Sequence, residues 1–124
     1  MIKSQESILL SCENSQKLAK FYEEKVGLKL TSEFEMGDNA EKGYYFESVK
    51  LYINQHSEVK GKNSQPQRYM INFETDDIEA EVKRLDSAGI KKIQDIYHVE
   101  GYGLIATYED VDGNYFQVVQ VRAS

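Results

Sequence analysis

Apolar residues along this chain come in short runs separated by polar turns, and the order of the runs repeats. Ser7 to Cys12 is a short apolar run that suits a buried strand. Leu18, Phe21, Tyr22 and Val26 then fall at helical spacing. Asn14 or Ser15 can cap that helix by accepting a first-turn N–H, and Gly27 supplies a left-handed C-terminal cap. Leu28 to Phe34, Gly43 to Phe46 and Lys50 to Asn54 read as three strands. Met36-Gly37-Asp38-Asn39 breaks the first pair, and the weaker turn signal Glu47-Ser48-Val49 breaks the second. His56 to Gln67 is polar, holds the only proline, Pro66, and reads as a linker.

The order then starts again. Tyr69 to Thr75 alternates as a strand, and Asp76 or Asp77 can cap a helix whose apolar stripe is Ile78, Val82 and Leu85. Ala88 lies beside that stripe and Gly89 ends it. Ile90 to His98, Leu104 to Tyr108 and Tyr115 to Val121 are three more strands. The run Asp110-Val111-Asp112-Gly113-Asn114 joins the last two as a hairpin turn, because Gly and Asn accept positive φ at low cost. Strict alternation puts Tyr115, Gln117 and Val119 on one face of the last strand and Phe116, Val118 and Gln120 on the other.

The chain is therefore a duplication of a β-α-β-β-β unit. One domain, 1–124, is expected, with unit one at about 5–56, a linker at about 57–67 and unit two at about 68–122. The fold class is α+β. Each helix can cover only one face of its sheet, so a ligand, the other unit or a partner subunit must occupy the opposite faces.

Composition narrows the function classes. At 124 residues, 40% of them hydrophobic, the chain can build a real core. The net charge of −6 argues against nucleic acid and anionic membrane as partners, and suits a cationic ligand if it does more than keep the protein soluble. Cys12 is the only cysteine, so no intrachain disulfide forms and a cytoplasmic location is the expectation. The first residues are too polar for a signal peptide, and no apolar stretch approaches a membrane span.

Two segments carry a family resemblance. Phe21-Tyr22-Glu23-Glu24-Lys25-Val26-Gly27-Leu28 in the first unit and Asp110-Val111-Asp112-Gly113-Asn114 in the second resemble signatures of the vicinal oxygen chelate superfamily. That superfamily includes glyoxalases, extradiol dioxygenases, fosfomycin-resistance enzymes and bleomycin-resistance proteins. The match covers nearly the whole chain, and one departure is Val111 where the family usually has proline. The resemblance implies a cupped mixed sheet built from both units, with helices on its convex face and the ligand site on its concave side. Small members of the family are usually homodimers, so a homodimer is expected.

Enzymes of the family hold a divalent metal through His and Glu at four strand positions. Mapped onto this chain, those positions are Ser7, fourteen residues before Phe21; Met70, three before Phe73; and Gln117, four after Gly113. The fourth, in the last strand of unit one, is Tyr52. A hydroxyl, a phenol, a thioether and an amide supply neither the charge nor the donor strength that zinc, magnesium or manganese needs. No metal, no cofactor and no catalytic residue is therefore assigned. Alternation extends the concave lining to Leu9, Asn72, Ile105, Thr107 and Val119. Tyr45 joins Tyr52 there if a two-residue turn closes their hairpin. His98 precedes the Gly101-Tyr102-Gly103 loop, which resembles a pocket-mouth segment, and Tyr97 and Tyr102 flank the expected opening. The concave lining itself contains no obvious general base; Asn72 and Gln117 can orient a ligand but cannot take its proton.

Other constellations read as structure. Asp110 and Asp112 lack the bidentate Glu of a calcium loop, since Val121 stands where it would fall. His56 falls in the linker, and neither histidine has a Ser or Cys partner visible in sequence. Cys12 shares parity with Ile8 and Leu10 and is expected beneath the first helix as a buried thiol. The nine tyrosines suit the walls of an organic-ligand pocket or, equally, packing against another sheet.

The expected function is metal-independent binding of a small organic molecule, similar to the bleomycin-resistance branch, which sequesters a cationic antibiotic. A metal-dependent lyase or dioxygenase of the glyoxalase type, using other ligands such as His98 or Glu109, is one alternative. A degenerate copy kept for protein interaction is another.

Overall fold

The computed structural model describes residues 1–122, which form two compact units, Met1–Gly61 and a second beginning at Lys62. In the first, β1 (Ile8–Cys12) is followed by α1 (Ser15–Lys20), which continues as a π-helical segment over Phe21–Val26. Strands β2 (Ser32–Met36), β3 (Glu41–Phe46) and β4 (Leu51–Gln55) complete it. They form one mixed sheet in the order β1-β4-β3-β2, with β1 and β4 parallel and the other pairs antiparallel. A parallel first pair needs a crossover, and α1 is that crossover.

Asn14 is the residue that caps α1, its side chain accepting the Lys17 N–H at 3.1 Å. Ser15 is instead buried and donates its hydroxyl to the Lys42 carbonyl at 2.8 Å, pinning the helix to β3. Gly27 closes the helix at φ 89°. Leu18, Phe21, Tyr22 and Val26 are all buried, packed with Tyr44, Phe46, Leu51, Ile53 and Cys12 on the helix side of the sheet. The second strand lies later than the expected Leu28 to Phe34. Residues 28–31 are taken up by the helix exit, where Leu28 N–H bonds the Tyr22 carbonyl at 2.9 Å, and by Thr31, whose hydroxyl accepts the Glu47 N–H at 2.9 Å.

The second unit has β5 (Ile71–Glu74), α2 (Ile78–Ser87), β6 (Lys91–Val99), β7 (Gly103–Glu109) and β8 (Tyr115–Val121). Its sheet order, β5-β8-β7-β6, repeats that of the first, again with only its β5–β8 pair parallel. The fold class is thus α+β, with tandem β-α-β-β-β units. Asp77 caps α2 by accepting the Ala80 N–H at 3.1 Å, and Gly89 follows the helix at φ 77°. Asp77→Ala should lower stability by about 1 kcal/mol in urea denaturation, because it orphans a first-turn N–H.

A polar network ties α2 to its sheet. Tyr108, fully buried, donates its hydroxyl to Asp86 at 2.9 Å, and Asp86 pairs with Lys92 at 2.8 Å. Burial, then the bond to Asp86 and its charge, hold the Tyr108 phenol protonated well above the usual tyrosine range. A folded pKa raised above the unfolded one stabilises the fold below the unfolded value and loses that stabilisation as pH rises through it. Stability should therefore fall above about pH 10. Tyr108→Phe should lose about 1 kcal/mol near neutrality and show a shallower alkaline decline, read from denaturation midpoints across pH.

Part of the predicted linker is anchored rather than loose. Gly61 N–H bonds Glu13 Oε1 at 2.9 Å, and Asn63 N–H bonds the Asp112 carbonyl at 2.8 Å. Pro66–Arg68 forms a single 3₁₀ turn leading into β5. Among the described residues, no helix is long and apolar enough to cross a membrane.

Candidate functional site

Each sheet has one face that its own helix does not cover, and the residues on it follow from register. In the first unit Leu9, Tyr52 and Tyr45 stand in a row across β1, β4 and β3. The Lys50 N–H bonds the Glu47 carbonyl at 3.1 Å, so the turn has the two central residues that this pairing requires. The rings of Tyr45 and Tyr52 stack at 4.2 Å, and Phe34 meets Tyr52 edge-on at 6.0 Å. Partial burial, the neighbouring Tyr52 and the carboxylates of Glu6 and Glu47 raise the Tyr45 phenol above its ordinary value. Ser7 directly precedes β1 on the parity of Leu9, which is 57% exposed.

Further along the same face, Gly43 stands opposite both Phe34 and Asn54. A side chain there would collide with the Phe34 ring and lie 2.9 Å from Asn54 Oδ1, so only glycine allows this close approach. Asn54 is 8% exposed and donates its amide to the Met36 sulfur at 3.0 Å, leaving its Oδ1 without a hydrogen-bond donor.

In the second unit the uncovered face forms an open groove of about 590 Å3. Met70, Thr107 and Gln117 line it together with Gln67, Ile93, Gln94, Tyr97 and Tyr115. Gln117 donates its amide to Thr107 Oγ1 at 2.9 Å across the β7–β8 ladder. Thr107 is 5% exposed, so this pair is the polar floor of the groove. Asn72 lies opposite Gln117 on β5, exposed, and Ile105 lies opposite buried Val119.

Two expected residues lie elsewhere. His98 pairs with Leu104, which pairs with Gln120, and Gln120 Oε1 accepts the Ile78 N–H at 2.9 Å; that is the helix side of the sheet. Tyr102 sits in the turn before β7, 37% exposed, with its N–H on the Val99 carbonyl. Conversely, Gln94 and Tyr97 enter the groove although they are three residues apart. Register shifts on both sides of Gln94 set it opposite Thr107 and Tyr97 opposite Ile105. Alternation alone does not anticipate such a bulge. Tyr115 was available from parity with Gln117.

The positions that the family resemblance would assign to a metal are Ser7 and Tyr52 in one unit and Met70 and Gln117 in the other. These neutral donors do not fit a divalent cation, and Gln117 is already engaged with Thr107. Among the described residues no three His, Cys, Asp or Glu side chains come together in a cluster able to hold a metal ion. The Asp110 carboxylate, 4% exposed, is spent on its own turn. It accepts the Asp112 N–H at 2.8 Å, the Asn114 N–H at 3.0 Å and the Asn114 side-chain amide at 3.0 Å. His56 accepts the Glu58 N–H at 3.1 Å, and Cys12 donates its thiol to the Asn54 carbonyl at 3.5 Å beneath α1.

Comparison with known proteins agrees with this architecture. An uncharacterised protein, YetH of Bacillus subtilis (strain 168), is 28% identical over 119 residues, covering 94% of this chain and 97% of that one. The crystal structure of TnmS3, an antibiotic binding protein from Streptomyces sp. CB03234, superposes with a TM-score of 0.71 at 19% identity, covering 97% of each chain. A glyoxylase/bleomycin resistance protein/dioxygenase domain from Frankia sp. EAN1pec superposes at 0.76 with 13% identity, covering 98% of this chain and all, 100%, of that one. The sequence profile of the glyoxalase-like domain matches residues 7–119. With that match spanning both repeats, the chain belongs to the glyoxalase-like domain family of the vicinal oxygen chelate superfamily.

Proposed function

We propose that this chain is a single-domain, metal-independent binding protein for a small organic molecule, which lies in the groove of the second unit. One observation carries it. The groove is of ligand size, and its floor is a neutral Gln117–Thr107 hydrogen bond where the family's enzymes place a metal-binding carboxylate. Met70 and Ile93 give apolar contact, and Asn72, opposite Gln117, lies on the same face. Within the first unit, Tyr45 and Tyr52 stack on that unit's own uncovered face, on the parity of Leu9 and Ser7. The antibiotic-binding description of TnmS3 supports the ligand class without extending its ligand to this chain. The groove's lining holds no carboxylate, imidazole or amine to serve as a general base, so turnover is not part of the proposal.

A homodimer accords with the exposed Leu9 and Tyr69, the latter 70% exposed, and sedimentation analysis reads it directly. A cytoplasmic location accords with the lone, buried Cys12.

The experiment is a thermal-shift screen of antibiotics and metabolites run with and without EDTA. A true ligand at about 100-fold excess over its Kd should raise Tm by roughly 10 °C, equally in both conditions. Stabilisation that vanishes in EDTA would overturn metal independence. Absence of any stabilising compound would favour an interaction module.

A further inference from the structure

We propose that the groove of the second unit selects an uncharged, flat ligand that hydrogen-bonds through both a donor and an acceptor, and discriminates against ions of either sign. This rests on the reading of that groove as the ligand site. The net charge of −6 draws cations toward the surface as a whole, but the lining of the groove holds no carboxylate to pair with them.

Its polar groups are the amides of Gln67, Gln94 and Gln117, the Thr107 hydroxyl and two phenols, with no carboxylate, amine or guanidinium among them. The floor pair is directional. Because Gln117 donates to Thr107 Oγ1, Gln117 Oε1 remains an acceptor and the Thr107 hydroxyl proton remains a donor, side by side. The rings of Tyr97 and Tyr115, with Met70, present apolar surface to a flat ligand.

The charges next to this lining in sequence or register are engaged elsewhere. Glu109, opposite Tyr115, pairs with Lys91 at 3.9 Å. Asp95, beside Gln94, accepts the Ile96 N–H at 2.8 Å and pairs with Lys92 at 3.2 Å. Arg68, beside Gln67, donates twice to Gln65. An ion entering the groove would shed water without gaining a counter-charge, a penalty that a neutral ligand of the same shape avoids.

The test uses three probes on one naphthalene ring: 2-naphthol, 2-naphthalenesulfonate and trimethyl(2-naphthyl)ammonium. Binding is read by NMR on the side-chain amide signals of Gln67, Gln94 and Gln117. The expected result is that 2-naphthol shifts these signals with affinity at least about tenfold above either ion, and that added salt leaves its affinity unchanged. Gln117→Glu keeps the bond with Thr107 by reversing its direction, and should turn the preference toward the ammonium probe. If an ion matches or exceeds 2-naphthol at these signals in the native chain, charge selection is overturned while the groove remains the ligand site. If no probe moves them, both the selection and the site are overturned.

Discussion

Asp110→Ala is expected to lower the folding free energy by about 3 kcal/mol, with Asp110→Asn losing clearly less. The carboxylate is 4% exposed and accepts three hydrogen bonds, two from backbone N–H groups of its own turn and one from the Asn114 amide. Alanine would leave those donors without this acceptor in a part-buried turn. The loss would spread, because Asn63 is tied to that turn through the Asp112 carbonyl at 2.8 Å and the Asn114 side chain at 3.1 Å. Asparagine keeps one acceptor oxygen, which explains the milder expectation. Urea denaturation of both variants checks this, and a loss of under about 1 kcal/mol for alanine would show that the turn does not depend on Asp110.

Gly103→Ala should be at least as damaging, at roughly 3 kcal/mol or more. Gly103 adopts φ +146°, a conformation that L side chains rarely take. A methyl group there would run into the Gln120 carbonyl and lie 2.8 Å from Val121 Cα and 2.9 Å from Arg122 N. All three atoms are backbone, so no side chain can swing aside to make room. The end of the β7–β8 ladder would have to open, starting at the Gly103–Val121 pair. Hydrogen exchange should show lost protection at this end of the ladder before the Thr107–Gln117 pair. Unchanged protection and stability would contradict the strain argument.

Much of this architecture was legible because both units obey simple periodicities. Leu18, Phe21, Tyr22 and Val26 at helical spacing, and the alternation in Tyr115 to Val121, each point to one buried face, and both faces are buried as expected. Boundaries were less legible where local bonding competes with strand pairing. Residues 28–31 look apolar enough for a strand but serve the helix exit, and the Lys62–Asn63 segment looks like open linker but packs on the Asp110 turn. The site divides the same way. Met70, Thr107 and Gln117 come together because parity on regular strands is preserved through folding. Tyr97 was legible only as a neighbour of the Gly101–Gly103 loop, and Gln94 could not be read from the sequence, since the bulges of β6 arise from pairing with β7 and leave no composition signal. His98 illustrates the same effect in reverse: register sets it opposite Leu104, on the side facing α2.

Metal-independent binding requires that Met70, Gln117 and their counterparts hold no metal. The direct measurement is the metal content of the protein, purified without an affinity metal column or chelator and then titrated with zinc and manganese. Far less than one metal per chain, with none taken up on titration, is the predicted result. About one zinc, nickel, iron or manganese per chain would contradict it and place the chemistry on ligands other than these neutral side chains.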